Sequence, residues 1–172
     1  HFYPLLRERG LGSAGTVTVL AVIGPAQVAG RVLIRLLASE APVRFLGAAI
    51  VVVFPLAVIG FAVAPPDIAI LATVAAFYGA ANGMITIVRG LAVPEMVTPN
   101  AYGAVNGSLV APMNAMQAVA PLAAAFIWQA SGGYGAVLAV TFIGSLTLCA
   151  GFWFAVWQTD VKKLVAPPNS SV

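Results

Sequence analysis

The side chains in this sequence that could do chemistry are almost all neutral. His1 is the only histidine and Cys149 the only cysteine, so the chain cannot build a metal cluster or an internal disulfide from them. The apolar stretches contain no paired carboxylates, and no glycine-rich loop precedes a basic residue as phosphate binding requires. We therefore predict that the chain is not an enzyme and holds no metal ion or other cofactor.

The polar side chains that remain lie inside long apolar stretches, where each needs a partner. An amide without a hydrogen bond in hydrocarbon is strongly destabilising, so it must face protein or water. The polar residues near the middle of their stretches are Gln27, Tyr78, Asn82, Asn114 and Gln117. We predict that they line a pathway for a small-molecule substrate. The alternative is packing and hydrogen bonding between helices, worth about 0.6 kcal/mol per hydrogen bond on average.

The amino-acid composition indicates the class of protein to which these polar residues belong. Of the 172 residues, 61% are hydrophobic and 8% are charged, whereas a soluble domain is about half apolar and about a quarter charged. A soluble domain and a disordered chain are therefore excluded, which leaves an integral membrane protein. The net charge of +3 does not indicate nucleic-acid binding, because the basic residues are few and do not alternate with aromatic ones.

The elements that carry the polar residues are predicted to be membrane-spanning helices. About 20 apolar residues cross the hydrocarbon core as a helix. Five stretches reach that length, and the only charges inside them are Arg31, near the end of the first, and Arg44, at the start of the second. They cover residues 13–33, 43–64, 68–88, 101–128 and 134–157. Since they are too long for barrel strands and lack period-two alternation, we predict an all-α, polytopic membrane helix bundle.

The bundle is predicted to occupy residues 13–160. Residues 1–12 are typical of the end of a preceding helix followed by an outer loop, and residues 161–172 of a disordered cytoplasmic tail. The chain begins with His1 and not with methionine, and no basic segment leads into a signal peptide. We therefore expect a fragment of a longer protein.

Small residues and helix-terminus signals refine this prediction. Small residues spaced four apart let helix backbones approach closely, and the pairs are Ala26 and Gly30, Gly79 and Gly83, and Gly103 and Gly107. Ser13 is expected to cap the first span with its hydroxyl. The prolines and aspartate of residues 65–67 favour the start of the third span, and Pro112 and Pro121 are expected to bend the fourth.

The basic residues predict the orientation. The loops at one end of the bundle contain Arg7 and Arg9, and those at the other end contain Arg31, Arg35, Arg44, Arg89, Lys162 and Lys163. Because Lys and Arg accumulate on the cytoplasmic side, the C-terminus is predicted to be cytoplasmic. Arg31, Arg35 and Arg89 are candidates for a cytoplasmic loop or gate. The alternatives are orientation by charge and, for Arg89, extension of the side chain to the interface.

The five spans differ in polarity. Side-chain amides occur in the first, third and fourth spans, whereas the second and fifth contain no amide. We therefore predict that the second and fifth spans are peripheral and face lipid, and that the other three surround a shared polar interior.

Three segments resemble a known transporter family. Residues 23–31 (IGPAQVAGR) resemble the eighth helix of bacterial major facilitator superfamily transporters. Residues 78–83 (YGAANG) with 86–90 (TIVRG) resemble the tenth helix, and residues 99–107 (PNAYGAVNG) the start of the eleventh. The resemblance covers nearly the whole chain, from the end of helix seven to helix twelve.

This resemblance implies the C-terminal half of a transporter built from two six-helix halves. It implies a multi-pass protein of a bacterial-type inner (cytoplasmic) membrane, with the missing N-terminal half as partner and with helices nine and twelve, our second and fifth spans, at the periphery. The basic loop of the family has an aspartate before its arginines, whereas residues 30–35 contain arginines without an acid.

The function that we expect is that of a fragment of a secondary active transporter, which moves a small molecule by alternating access. Proton coupling stays open, because the interiors of the spans contain no Asp, Glu or His. The alternative is a non-transporting membrane subunit or scaffold that packs against partner helices. A membrane enzyme ranks last, since no general base is available at depth.

Overall fold

The computed structural model describes residues 2–37, 41–96 and 102–165, and these residues form six α-helices. The helices are α1 (Phe2–Glu8), α2 (Ser13–Leu37), α3 (Val43–Val63), α4 (Ile68–Met96), α5 (Tyr102–Ser131) and α6 (Tyr134–Val165). Five of these helices, α2 to α6, are long and apolar enough to cross a membrane. The prediction of an all-helical chain with five candidate spans is therefore confirmed.

Several helices extend further than the apolar stretches that predicted them. In the described part of the chain, α2 continues to Leu37, α4 to Met96 and α6 to Val165. Residues 161–165 are thus helical, which corrects the predicted disordered tail over 161–172, and residues 166–172 lie outside the described residues. Hydropathy marks the hydrocarbon core, whereas helical hydrogen bonding continues into the interface beyond it.

The turns between helices are stabilised by hydrogen bonds at the helix ends and by a glycine with a positive φ. Asp67 caps α4, because its Oδ1 accepts the backbone N–H of Ile70 at 2.9 Å, as residues 65–67 predicted. At the start of α2 the carbonyl of Gly12 accepts the backbone N–H of Thr16 at 2.9 Å, and Ser13 is the first helical residue. The cap predicted for Ser13 is therefore at Gly12. Between α5 and α6, Gly132 has a φ of +74°, which suits glycine.

Replacing Asp67 with alanine should destabilise the start of α4 by about 1 kcal/mol, the usual effect of removing an N-cap side chain. Asp67→Asn should retain most of the stability, because its amide oxygen can still accept the Ile70 N–H. Thermal unfolding in detergent, together with hydrogen exchange of the first turn of α4, measures both variants. An equal loss in the two variants would show that charge, and not the capping hydrogen bond, matters at this site.

Helix α4 lies at the centre of the packing. It packs most extensively against α2, then against α3, and makes smaller contacts with α5 and α6. One buried cluster lies near α1 and includes Leu6, Val19, Phe61 and Leu71. A second cluster includes Ile34, Ile50 and Val88 and lies toward the opposite ends of α2, α3 and α4.

The second span, which was predicted to be peripheral, has one buried side in addition to its exposed one. In α3, 33% of the most apolar segment is buried inside the bundle, whereas in α5 none is. Helix α3 packs against both α4 and α6, so it does not merely shield other helices from lipid. The lack of amides could not reveal this, because an apolar side chain packs equally well against protein and against lipid.

Candidate functional site

Helices α2 and α4 meet at their small residues, with almost no space between the backbones. A side chain at Gly83 would overlap the backbone carbonyl of Gln27, and one at Gly30 would overlap the carbonyl of Ala80. At Gly79 a Cβ would lie 2.7 Å from the carbonyl oxygen of Ile23. These glycines are therefore required for the contact. Two of the three predicted small-residue pairs, Ala26 with Gly30 and Gly79 with Gly83, are confirmed as helix contacts.

The third small-residue pair has no partner within the described ranges. A Cβ added at Gly103 or Gly107 would meet nothing within 4 Å there. Both glycines lie on α5, whose contacts with α4 and α6 are slight. The small-residue pattern therefore forms a close contact between α2 and α4, whereas the same pattern on α5 contacts no described helix.

The α2–α4 contact brings two of the predicted pathway residues near each other. The backbone of Gln27 lies against Gly83, the residue that follows Asn82. Both amide side chains are half-buried. One turn further along α4, the Thr86 hydroxyl donates to the carbonyl oxygen of Asn82 at 3.1 Å. Gln27 and Asn82 thus flank the tightest helix crossing in the described part of the chain.

Tyr78 lies one turn before Asn82 and belongs to an aromatic cluster. Its ring centroid is 5.3 Å from that of Phe2, 6.0 Å from that of Phe54 and 6.5 Å from that of Phe61, all edge-on. Such edge-to-face pairs are favourable packing arrangements. The ring therefore has a packing role between α4, α3 and α1, in addition to the pathway role that the sequence predicts.

Asn114 and Gln117 are exposed on α5. Within residues 2–37, 41–96 and 102–165, the structure shows no hydrogen bond between these amides and Gln27 or Asn82. The nearest link to α4 is made by Met113, whose Sδ contacts the guanidinium of Arg89. The structure therefore groups Gln27 with Asn82 and leaves the α5 amides apart from them.

The three arginines proposed for a loop or gate are exposed. Arg31 and Arg35 lie in the last part of α2, and Arg89 lies in α4. The described contact of Arg89 is with the sulfur of Met113 and not with an acid. Glu95 is an acid near the end of α4, and its side chain lies outside the described side chains.

A cluster of charges at the end of α1 was not predicted from the sequence. The guanidinium of Arg9 donates to the carbonyl oxygens of Ala62 and Ala64, at the C-terminal end of α3. The carboxylate of Glu8 accepts the backbone N–H of Tyr134 at 2.9 Å and the indole N–H of Trp128 at 3.3 Å. Glu8 and Arg9 thus connect α1 to three other helices.

The charge of each residue in this cluster suits the helix end that it meets. The Glu8 carboxylate lies at the N-terminus of α6, where the helix dipole is positive, and the Arg9 guanidinium lies at the C-terminus of α3, where it is negative. The available signal was the Arg7-Glu8-Arg9 sequence before Gly10, whose φ of +93° ends α1. From the sequence, these arginines predicted only the orientation of the chain.

A cavity of about 340 Å³ lies beside Tyr78, between α1, α3, α4, α5 and α6. Its walls include the aromatic rings of Phe2, Phe61, Tyr78 and Tyr134. The remaining lining residues are aliphatic, apart from Thr141, and none is charged. In the described residues no group of three His, Cys, Asp or Glu side chains could hold a metal ion.

Comparison of the chain with protein-family models, with curated proteins and with solved structures gives no match. The resemblance to a transporter family therefore depends on the residues quoted above. What the structure shows is a helical chain, six helices in its described residues, compatible with a multi-pass membrane protein.

Proposed function

We propose that the chain is the C-terminal half of a secondary transporter of the major facilitator type, which moves a small molecule by alternating access. In this proposal the chain lies in a bacterial-type cytoplasmic membrane with its C-terminus inside, and an N-terminal half completes the pathway. The proposal is supported by the residues of segments 23–31, 78–90 and 99–107 and by the five apolar helices.

The observation that carries the proposal is the exposure of amides on the least enclosed helix. Asn114 and Gln117 are three residues apart on α5, so they lie on neighbouring parts of one helix face. A neutral amide is not left facing acyl chains, because no hydrogen-bond partner exists there. Helix α5 therefore needs either more protein or a water-filled space on that side. A transporter supplies both, because its two halves enclose a hydrated path.

The chemistry of the pathway indicates the kind of solute. The four amides and Tyr78 offer hydrogen bonds without a formal charge. A solute that exchanges its water shell for these groups is neutral or amphipathic.

The competing proposal is a non-transporting scaffold. Its specific support is the open face at Gly103 and Gly107, which suits close packing of a partner helix. In this alternative the amides on α5 form hydrogen bonds to the partner and no solute passes.

Cysteine labelling from the two sides of the membrane tests the hydrated pathway. The background is Cys149→Ser, which retains a donor for the carbonyl of Val51 that the thiol contacts at 3.0 Å. Asn82→Cys and Gln117→Cys are expected to react with a polar thiol reagent, because reaction needs the hydrated thiolate. Ile143→Cys, on the exposed apolar surface of α6, is the matched control and should stay unreactive.

The labelling result and a flux assay together separate the two proposals. No reaction at either pathway position from either side would exclude the pathway. In proteoliposomes that contain the complete protein, Asn82→Leu and Gln117→Leu should abolish flux while assembly persists. Loss of assembly with flux unchanged would favour the scaffold.

A further inference from the structure

The cavity beside Tyr78 has a composition that differs from the amide pathway. Phe2 and Phe61 provide aromatic rings from α1 and α3, and Tyr78 faces both of them across 5.3 Å and 6.5 Å between ring centroids. Helices α5 and α6 contribute small or aliphatic side chains that include Ala124 and Val137, together with the ring of Tyr134. Such a lining combines aromatic rings with an apolar surface.

The size and chemistry of this cavity fit a small organic molecule. Its volume of about 340 Å³ lies within the usual range for ligand pockets, about 300–1,000 Å³. The lining contains no charged side chain, so an ion would lose its hydration without a charged partner to compensate the loss. Aromatic walls favour an aromatic guest, because offset and edge-to-face ring pairs add to the effect of apolar burial.

Three residues of the lining carry a hydroxyl group, namely Tyr78, Tyr134 and Thr141. The Thr141 hydroxyl donates to the carbonyl of Val137 at 2.8 Å within α6. The Tyr78 phenol shows no hydrogen bond to any other described residue, so it can pair with a guest. One hydroxyl or carbonyl on the guest would match it.

From this geometry we propose that the cavity between α1, α3, α4, α5 and α6 is a binding site for an uncharged aromatic molecule with one hydrogen-bonding group. The site shares Tyr78 with the proposed pathway, but binding there does not require that the chain transports anything.

Naphthol is a suitable probe, because it is an uncharged bicyclic phenol that accepts excitation energy from tryptophan. Trp128 is the natural reporter, since its ring centroid lies 6.2 Å from that of Tyr134 in the cavity wall. The full chain in phosphatidylcholine nanodiscs would contain Trp153→Phe and Trp157→Phe, which leave Trp128 as the only tryptophan. Addition of naphthol should quench Trp128 to saturation, above the linear quenching that membrane partitioning produces.

Filling the cavity supplies the matched comparison. Ala124→Phe places a ring in the cavity and should weaken naphthol binding by about tenfold or more, because the added ring occupies the guest's volume. Ala123→Phe, the adjacent and exposed residue outside the lining, should leave binding unchanged. Ala120→Phe is a second filling variant from the same lining in case Ala124→Phe does not fold.

Tyr78→Phe distinguishes the contribution of the Tyr78 hydrogen bond to binding from the contribution of apolar burial. It should weaken naphthol binding by about fivefold, a typical value for one hydrogen bond, and leave naphthalene binding unchanged. Linear, non-saturating quenching that is identical in the parent and in the filling variants would overturn the proposal. Saturable naphthol binding without flux would support this binding site and contradict the transport proposal. Flux without saturable naphthol binding would support the transport proposal and contradict this binding site.

Discussion

Replacing Gly83 with alanine is expected to separate α2 from α4 and to unfold much of the bundle. The new Cβ would overlap the backbone carbonyl of Gln27, and a backbone segment inside a helix cannot move aside as a side chain can. Overpacking of a tight interface costs about 1–3 kcal/mol and more where the obstacle is rigid, so we expect a loss of about 3 kcal/mol or more. The measurement is reversible unfolding in mixed micelles, with circular dichroism as the readout.

Gly107→Ala is the matched control for this prediction. Gly107 is also helical, and an added Cβ meets no described atom within 4 Å. Alanine should therefore stabilise α5 slightly, by about 0.5–1 kcal/mol, because glycine loses more backbone freedom in a helix. The two substitutions are chemically identical but should have opposite signs. Equal stability of the two variants would mean that α2 and α4 do not cross at Gly83.

Gly79→Ala provides an independent test of the same crossing. Its Cβ would lie 2.7 Å from the carbonyl oxygen of Ile23, which is too close but less severe than the overlap at Gly83. We expect an intermediate loss of stability, so the order of stability should be Gly107→Ala, then Gly79→Ala, then Gly83→Ala.

Replacing Arg9 with alanine is expected to release α1 from the end of α3. The carbonyl oxygens of Ala62 and Ala64 would each lose a charged hydrogen-bond donor. Hydrogen bonds to charged groups contribute about 1.5–3 kcal/mol, and Arg9 is only half-buried, so a total loss of about 2–3 kcal/mol is reasonable. Faster hydrogen exchange should appear in the last turn of α3 and in α1.

Arg7→Ala is the control for Arg9. Arg7 donates to the carbonyl of Leu11 at 2.7 Å, four residues further along its own segment, so its loss leaves α3 unaffected. Arg9→Lys should give an intermediate result, because one ammonium group does not reproduce the two-pronged geometry of a guanidinium. If Arg7→Ala and Arg9→Ala changed exchange in α3 equally, general charge and not the contacts of Arg9 would be responsible.

The Arg9 and Gly83 sites show different limits of sequence reasoning. The small-residue pairs were recognisable, because spacing four apart on a helix is a local property of the sequence. The choice among them was not recognisable, since Gly79 and Gly83 bind α2 whereas Gly103 and Gly107 meet no described partner. Arg9 and Ala62 are 53 residues apart, and nothing in the local pattern of either residue refers to the other.

The candidate site likewise combines residues that the sequence identifies with contacts that the sequence does not predict. The amides were identifiable because any polar side chain in an apolar stretch is conspicuous. Their grouping was predicted from their position near the middle of their spans, which does not say which helix faces meet. The structure places Gln27 beside the segment of Asn82 and leaves Asn114 and Gln117 on exposed parts of α5. The aromatic cavity was not predicted, because its walls come from five helices.

The sequence by itself determined that this protein is a set of long apolar helices with short polar turns, because hydrophobicity, length and capping act within single segments. Only the tertiary structure decided that α4 is central, that α3 packs against both α4 and α6, and that α1 is held by Glu8 and Arg9. The physical reason is that lipid and apolar side chains are nearly equivalent neighbours, so helix partners are chosen by shape and by a few polar contacts between distant residues.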